Sequence, residues 1–231
     1  MQSRDTSRFV WTVLGLPGSG KTYLIMQMLP AFLRPVIVVD STGEWTEAGR
    51  TFSSVANLRT AVARVMSGVD HPQGGVFVLT CRSQSKAHRL FSTARESGMP
   101  GTYVVDEAHL YASTQSPDEA FVNMVLMGRH DRHSIVAVSQ RGQRINEDVL
   151  EASAISCFRQ TGRGAEKIAG RSKEGGFVRG VTKADLASLD EREYVNGSFW
   201  GQCEIPAGEA NDGSIWQWSN ERGSSRKVRE V

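Results

Sequence analysis

Between an apolar run and a helical one the chain carries Gly15-Leu16-Pro17-Gly18-Ser19-Gly20-Lys21-Thr22. This stretch fits G-x-x-x-x-G-K-[ST], and no other feature narrows the available folds so far. The preceding FVWTVLG (9–15) reads as a strand and the following KTYLIMQMLPAFL (21–33) as a helix. A dense anion such as polyphosphate is held where several backbone N–H groups curl inward. Gly18 and Gly20 permit that curl at little steric cost, and the positive end of the new helix adds to it. The candidate cradle for a nucleoside triphosphate is Gly15, Pro17, Gly18, Ser19, Gly20, Lys21, Thr22 and Tyr23. Lys21 would reach the β- and γ-phosphates, and the Thr22 hydroxyl would be a ligand for Mg²⁺.

The rest of the chain alternates in the same way. PVIVVD (35–40), GGVFVLTC (74–81), TYVVDEAH (102–109), SIVAVSQ (134–140) and AISCFRQ (154–160) read as strands. Segments 54–69, 86–98, 118–130, 163–171 and 183–189 carry helical spacing, and Asp118 and Glu119 suit the positive start of a helix. Near-continuous apolar strands between helices predict an α/β fold whose mostly parallel central sheet is flanked by helices. With 231 residues the chain has room for one domain, expected over 1–206 with a small β-containing C-terminal part. EREYVNGSFW (191–200) predicts a hairpin around Asn196-Gly197. The Gly-, Ser-, Asn- and Arg-rich stretch 207–231 is expected to be a partly loose tail. Three scattered cysteines show neither disulfide nor zinc spacing, which points to a reducing compartment, and the five histidines offer only His130-x-x-His133, where no metal is expected. No run approaches the ~20 apolar residues that span a bilayer, so a soluble protein is expected.

YVVDEAH narrows the chemistry. Asp106, at the end of an apolar strand, could hold Mg²⁺ through a water, and Glu107 could polarise the water that attacks a γ-phosphate. Gln140, just past another apolar strand, is placed to sense that phosphate. A whole strand unit separates the acidic pair from the first two strands. That spacing resembles the RecA-like P-loop NTPase division with additional strands and a catalytic glutamate. The N-K-x-D base-reading segment of GTPases is missing.

GRHDRHSIVAVSQR (128–141) resembles the segment R-x-x-x-[GH]-[IV]-x-hydrophobic-[ST]-Q-R of the FtsK–HerA superfamily of DNA-pumping ATPases. VIVVDSTGEW (36–45) resembles the D-x-x-G-E-[YW] segment of its HerA-like members and implies that Glu44 lies beside the nucleotide. With the phosphate loop and VVDEAH, four segments match in order across about residues 9 to 160. Members often have a glycine near Arg132 or His133, where this chain has none. The resemblance implies ATP and Mg²⁺ as cofactors, double-stranded DNA as partner, and a homo-oligomeric ring, expected to be a hexamer. It also implies a trans-acting arginine finger, carried over to Arg129, with Arg132 and Arg141 as alternatives. A guanidinium suits that task because it is planar and permanently charged.

Among the jobs in that superfamily, a core of this length is most similar to the genome-packaging ATPases of tailless icosahedral viruses with internal membranes. That implies a protein of the host cytoplasm or the virion that meets a capsid vertex or a membrane protein. Filamentous-phage assembly and cellular DNA pumping are the alternatives within the group. From other classes come a nucleotide or small-molecule kinase and a non-motor ATP-binding assembly switch. Phosphate backbones need basic loops facing them. The loop GRSKEGGFVRG (170–180) supplies the nucleic-acid candidates Arg171, Lys173 and Arg179. His109, after the acidic pair, could hydrogen-bond across the site or simply pack.

Overall fold

A computed structural model of the chain describes residues 8–70, 75–169, 177–178, 181–190, 193–198, 215–219 and 224–229. The strands are β1 (Val10–Leu14), β2 (Val36–Asp40), β3 (Arg50–Phe52), β4 (Val76–Thr80), β5 (Gly101–Val105), β6 (His133–Ser139), β7 (Ala154–Phe158), β8 (Glu193–Ser198), β9 (Ile215–Ser219) and β10 (Ser224–Arg229). The helices are α1 (Lys21–Met28), α2 (Val55–Met66), α3 (Gln84–Glu96), α4 (Glu119–Asp131), α5 (Glu147–Glu151), α6 (Gly162–Ala169) and α7 (Lys183–Ala187). The strands form one sheet in the order β10-β9-β8-β7-β1-β6-β5-β2-β4-β3. From β7 to β3 every pairing is parallel, whereas β8, β9 and β10 extend the β7 edge in antiparallel fashion.

The central strands β2, β5 and β6 are buried along their length because side chains of alternate residues enter two separate cores. Ile37, Val39, Tyr103, Val105, Ile135 and Ala137 face one side, where α2, α3 and α4 bring Leu58, Leu90, Phe91 and Phe121. Val36, Val38, Val104, Val136 and Val138 face the other, against Leu24, Ile25 and Met28 of α1. Each such side chain, fully withdrawn from water, contributes about 1.5–3 kcal/mol, which offsets the entropy of ordering the sheet.

The strand order positions the site. β6 pairs with both β1 and β5, through Leu14↔Ser139 and Val105↔Ala137. The end of β6 therefore stands between the phosphate loop and the acidic pair. In open parallel sheets ligands bind beyond the carboxyl ends of the strands. Here those ends bring together Leu14, Val105, Ser139 and Asp40.

Several boundaries differ from the sequence reading. The strand expected over 102–109 ends at Val105, because Glu107 takes a left-handed conformation at φ 50° and a short 3₁₀ turn, Ala108–Leu110, follows. The helix expected over 21–33 stops at Met28 and gives way to a 3₁₀ turn that contains Pro30. No hairpin forms at Asn196-Gly197. Both residues lie within β8, paired to Ser156 and Ile155 of β7, so the ladder of a neighbouring strand overrides a local turn preference. Within 207–231, β9 and β10 are strands of the sheet. Asp118 caps α4 by accepting the Phe121 N–H, and the helix ends on Arg132 at φ 58°. That left-handed position is one glycine occupies readily, and here an arginine takes it.

Candidate active site

The loop after β1 is tied down at its base. Gly15 N–H donates to the Ser139 carbonyl at 3.2 Å, and Leu16 N–H to the Arg159 carbonyl at 2.9 Å. Gly18 and Gly20 adopt φ of 73° and 100°, so the backbone curls as polyphosphate binding requires. Gly15 is held by space instead. A Cβ there would lie 2.5 Å from Ser19 Oγ and 2.6 Å from Phe158 Cβ. Gly15→Ala is accordingly expected to destabilise the fold by about 1–3 kcal/mol, read as a lower midpoint in urea unfolding. An unchanged midpoint would show that the loop yields freely.

Lys21 opens α1 and is only 6% exposed. Its ammonium donates to the Leu16 carbonyl at 2.9 Å. Burial lowers its pKa, and the nearby carboxylates of Glu107, Asp106 and Glu44 oppose that drop. Ser19 Oγ is buried with no hydrogen-bond partner among the described residues. A buried ammonium with one carbonyl partner and an unpaired hydroxyl at the loop both fit a phosphate acceptor group.

Beyond β5, Asp106 is 6% exposed, and its pKa is raised to about 6, chiefly by burial. Thr42 Oγ1 donates to Asp106 Oδ2 at 2.9 Å, which favours the charged form. Thr42 is itself held by the turn after β2, where Asp40 Oδ1 accepts from Gly43 N–H at 2.7 Å and Thr42 N–H at 3.2 Å. Glu107 follows, and its carboxylate is affected by burial, which raises its pKa. The imidazole of His109, the Gln140 backbone N–H and Lys21 outweigh the burial and bring it below the ordinary value. His109 Nδ1 lies 3.0 Å from Glu107 Oε2 as an ion-pair contact and 3.2 Å from Ser139 Oγ as a hydrogen bond. Oε2 is buried and carries no aligned hydrogen bond among the described residues.

These groups line one cleft. Pro17, Gly18, Lys21 and Thr22 form one wall, Thr42, Glu44, Asp106 and Glu107 another, and Ser139 and Gln140 stand between them. The sequence-derived set of Lys21, Thr22, Asp106, Glu107, Gln140 and Glu44 is thus brought together. Tyr23, half-buried one position further along α1, does not line the cleft. Among the described residues no group of three His, Cys, Asp or Glu side chains could hold a metal alone. The donors at the cleft are oxygens, the Thr22 hydroxyl and the Asp106 carboxylate. That set fits Mg²⁺, which takes one or two protein oxygens and completes its shell from phosphate and water.

The arginines are less concentrated. Arg129 sits in the last turn of α4, and its side chain lies outside what is described. Arg132 caps that helix and is exposed, and Arg141 is exposed next to Gln140. Arg171, Lys173 and Arg179 lie outside the described residues. Thr42 went unnoticed in the sequence, and Ser139 stood there only as the hydroxyl position of the [ST]-Q-R segment, since nothing local shows that these hydroxyls meet Asp106 and His109. No helix among the described residues is long and apolar enough to cross a membrane.

Comparison by sequence finds no matching family and no curated relative. Comparison of folds finds clear neighbours. The genome packaging NTPase B204 from Sulfolobus turreted icosahedral virus 2, in complex with ATP-gammaS, has a TM-score of 0.63 at 15% identity, covering 90% of this chain and 95% of that one. B204, the DNA-packaging ATPase from Sulfolobus turreted icosahedral virus, has a TM-score of 0.63 at 15% identity, covering 83% and 92%. A third structure, described only as an ATPase, has a TM-score of 0.52 at 12% identity, covering 83% and 75%. The α/β fold is therefore that of the P-loop ATPases, as the sequence motifs led us to expect.

Proposed function

We propose that the chain is a magnesium-dependent ATPase whose hydrolysis drives double-stranded DNA into a capsid, working as a homo-oligomeric ring. One observation carries the hydrolase reading: Lys21, Asp106 and Glu107 converge on one cleft, with Glu107 lining it beside Gln140. A kinase needs an acceptor hydroxyl there, whereas an ATPase needs a water and a base beside it. The fold likeness to viral DNA-packaging ATPases supports the motor reading.

In this reading the curled loop binds the phosphates, and Lys21 neutralises charge on the β- and γ-oxygens. Thr22 and Asp106 would hold Mg²⁺, which when bound offsets developing charge on the phosphates. The Glu107 carboxylate takes a proton from the attacking water, and the Gln140 side chain contacts the γ-phosphate. A neighbouring subunit's guanidinium, from Arg129 by position, completes the transition-state charge.

Phosphate release measured with and without double-stranded DNA, beside Glu107→Gln, tests this. Magnesium-dependent hydrolysis that rises with DNA and is lost in Glu107→Gln is expected. DNA-independent phosphate transfer to a metabolite would establish a kinase, and tight ATP binding without turnover would establish a switch. For the trans arginine, mixing Arg129→Ala subunits with Lys21→Ala subunits should restore hydrolysis that neither performs alone. Absence of recovery, or an unimpaired Arg129→Ala, would rule that residue out.

A further inference from the structure

His109 is buried at 9% exposure in the 3₁₀ turn that follows Glu107. The left-handed backbone of Glu107 folds this turn back, so that the imidazole comes beside the carboxylate two residues earlier. The same nitrogen, Nδ1, is 3.2 Å from Ser139 Oγ and 3.0 Å from Glu107 Oε2. Nδ1 is aligned for a hydrogen bond only with Ser139 Oγ, and its contact with Oε2 is electrostatic; a lone pair on Nδ1 would repel the carboxylate at that separation, whereas an Nδ1–H given to Ser139 turns its positive end toward both oxygens. Ser139 is the last residue of β6. Its hydroxyl accepts the Arg141 N–H at 3.0 Å, and its carbonyl accepts the Gly15 N–H at 3.2 Å. An unbroken chain of contacts thus runs from the base of the phosphate loop through Ser139 and His109 to Glu107. The Gln140 backbone N–H reaches the same carboxylate from the same strand end.

We infer that His109 is a positioning residue: its Nδ1–H, anchored on Ser139, sets the Glu107 carboxylate in register with the phosphate loop and with the strand end that carries Gln140. This rests on the hydrolase reading above and adds the part that aims its base. It also gives a reason for a left-handed, non-glycine residue at the site. Such strain persists only where surrounding contacts over-determine it, and the imidazole supplies one of those contacts.

Two measurements test the inference. ¹⁵N-histidine NMR of the nucleotide-free protein should show one of the five histidines as the Nδ1–H tautomer, assigned by its loss in His109→Asn. Ser139→Ala should shift that signal. In steady-state assays, His109→Leu should lower kcat by about 30- to 100-fold with KM for ATP within about threefold, because a misaimed base costs turnover and not binding. His109→Asn places an amide N–H near the Nδ1 position and should recover most of the turnover. In a Glu107→Gln background, His109→Leu should have no further effect. An Nε2–H tautomer for His109, or a folded His109→Leu within about threefold of wild-type kcat, would overturn the inference and leave the hydrolase reading standing. A wild-type protein that binds ATP without hydrolysing it would sink both. If His109→Leu does not fold, the tautomer and the Ser139→Ala kinetics decide the matter. Ser139→Ala with unchanged signal and unchanged kcat counts against the inference.

Discussion

Glu107→Gln is expected to lower ATP turnover by about 10²- to 10⁴-fold while nucleotide affinity stays near wild type. The substitution keeps the shape of the side chain and its contact with the Gln140 backbone N–H. It removes the one property the mechanism uses, a carboxylate oxygen able to accept a proton. The carboxylate is suited to that task because it lines the cleft beside Lys21 and Asp106. Its pKa lies below the ordinary value, since His109, the Gln140 N–H and Lys21 outweigh the burial that raises it. The base is therefore ionised at neutral pH and remains so under mild acid. Phosphate release measures the loss, and titration with a fluorescent ATP analogue measures the retained binding. A variant that kept more than about a tenth of wild-type turnover would show that another group takes the proton.

How much of this was legible in the sequence depends on how local each feature is. The phosphate loop could be read directly, because Gly18, Gly20, Lys21 and Thr22 act through positions a few residues apart. Asp106 and Glu107 were legible because an apolar strand ending in two carboxylates has few uses beside such a loop. Strand order was only implied. The apolar run of β6 could be read as a strand, yet its place between β1 and β5 and its contacts with Gly15 and His109 exist only once the three strands pair. Asn196-Gly197 misled because a turn signal is a local preference, and pairing with β7 was worth more. Arg132 shows the converse. The chain has no glycine there, and the left-handed turn forms all the same, at a cost of roughly 1–2 kcal/mol that the packing of α4 and β6 absorbs. Thr42 was invisible for a simpler reason: a threonine after a buried aspartate reads as an ordinary turn until Asp106, 64 positions away, arrives beside it.

Asp106→Asn should separate stability from function in opposite directions. In the folded protein the carboxyl has its pKa raised from 3.8 to about 6, mainly by burial and further by Glu107 and Asp40, with the Thr42 hydroxyl offsetting part of the rise. A raised carboxyl pKa means that the folded state holds the proton more tightly than the unfolded chain does. Below the unfolded value both states are protonated and nothing is lost. As pH climbs from about 4 to 6 the unfolded chain releases its proton first, and above 6 the penalty on folding reaches about 3 kcal/mol. Asn carries no charge to desolvate and can still accept the Thr42 hydroxyl. In metal-free buffer at pH 7.5 the variant should therefore melt about 6–12 °C above wild type, and the difference should shrink toward zero near pH 4. Thermal melts with EDTA across that range measure it, and a variant no more stable than wild type at pH 7.5 would refute the assignment of a destabilising charge. With magnesium and ATP the order should reverse. Turnover should fall by at least about 10²-fold, and the thermal protection that magnesium adds to wild type should disappear, because an amide is a poor substitute for the hard anionic ligand this cation prefers. In the proposed mechanism the buried carboxylate that opposes folding at neutral pH supplies the charge that a divalent cation would need.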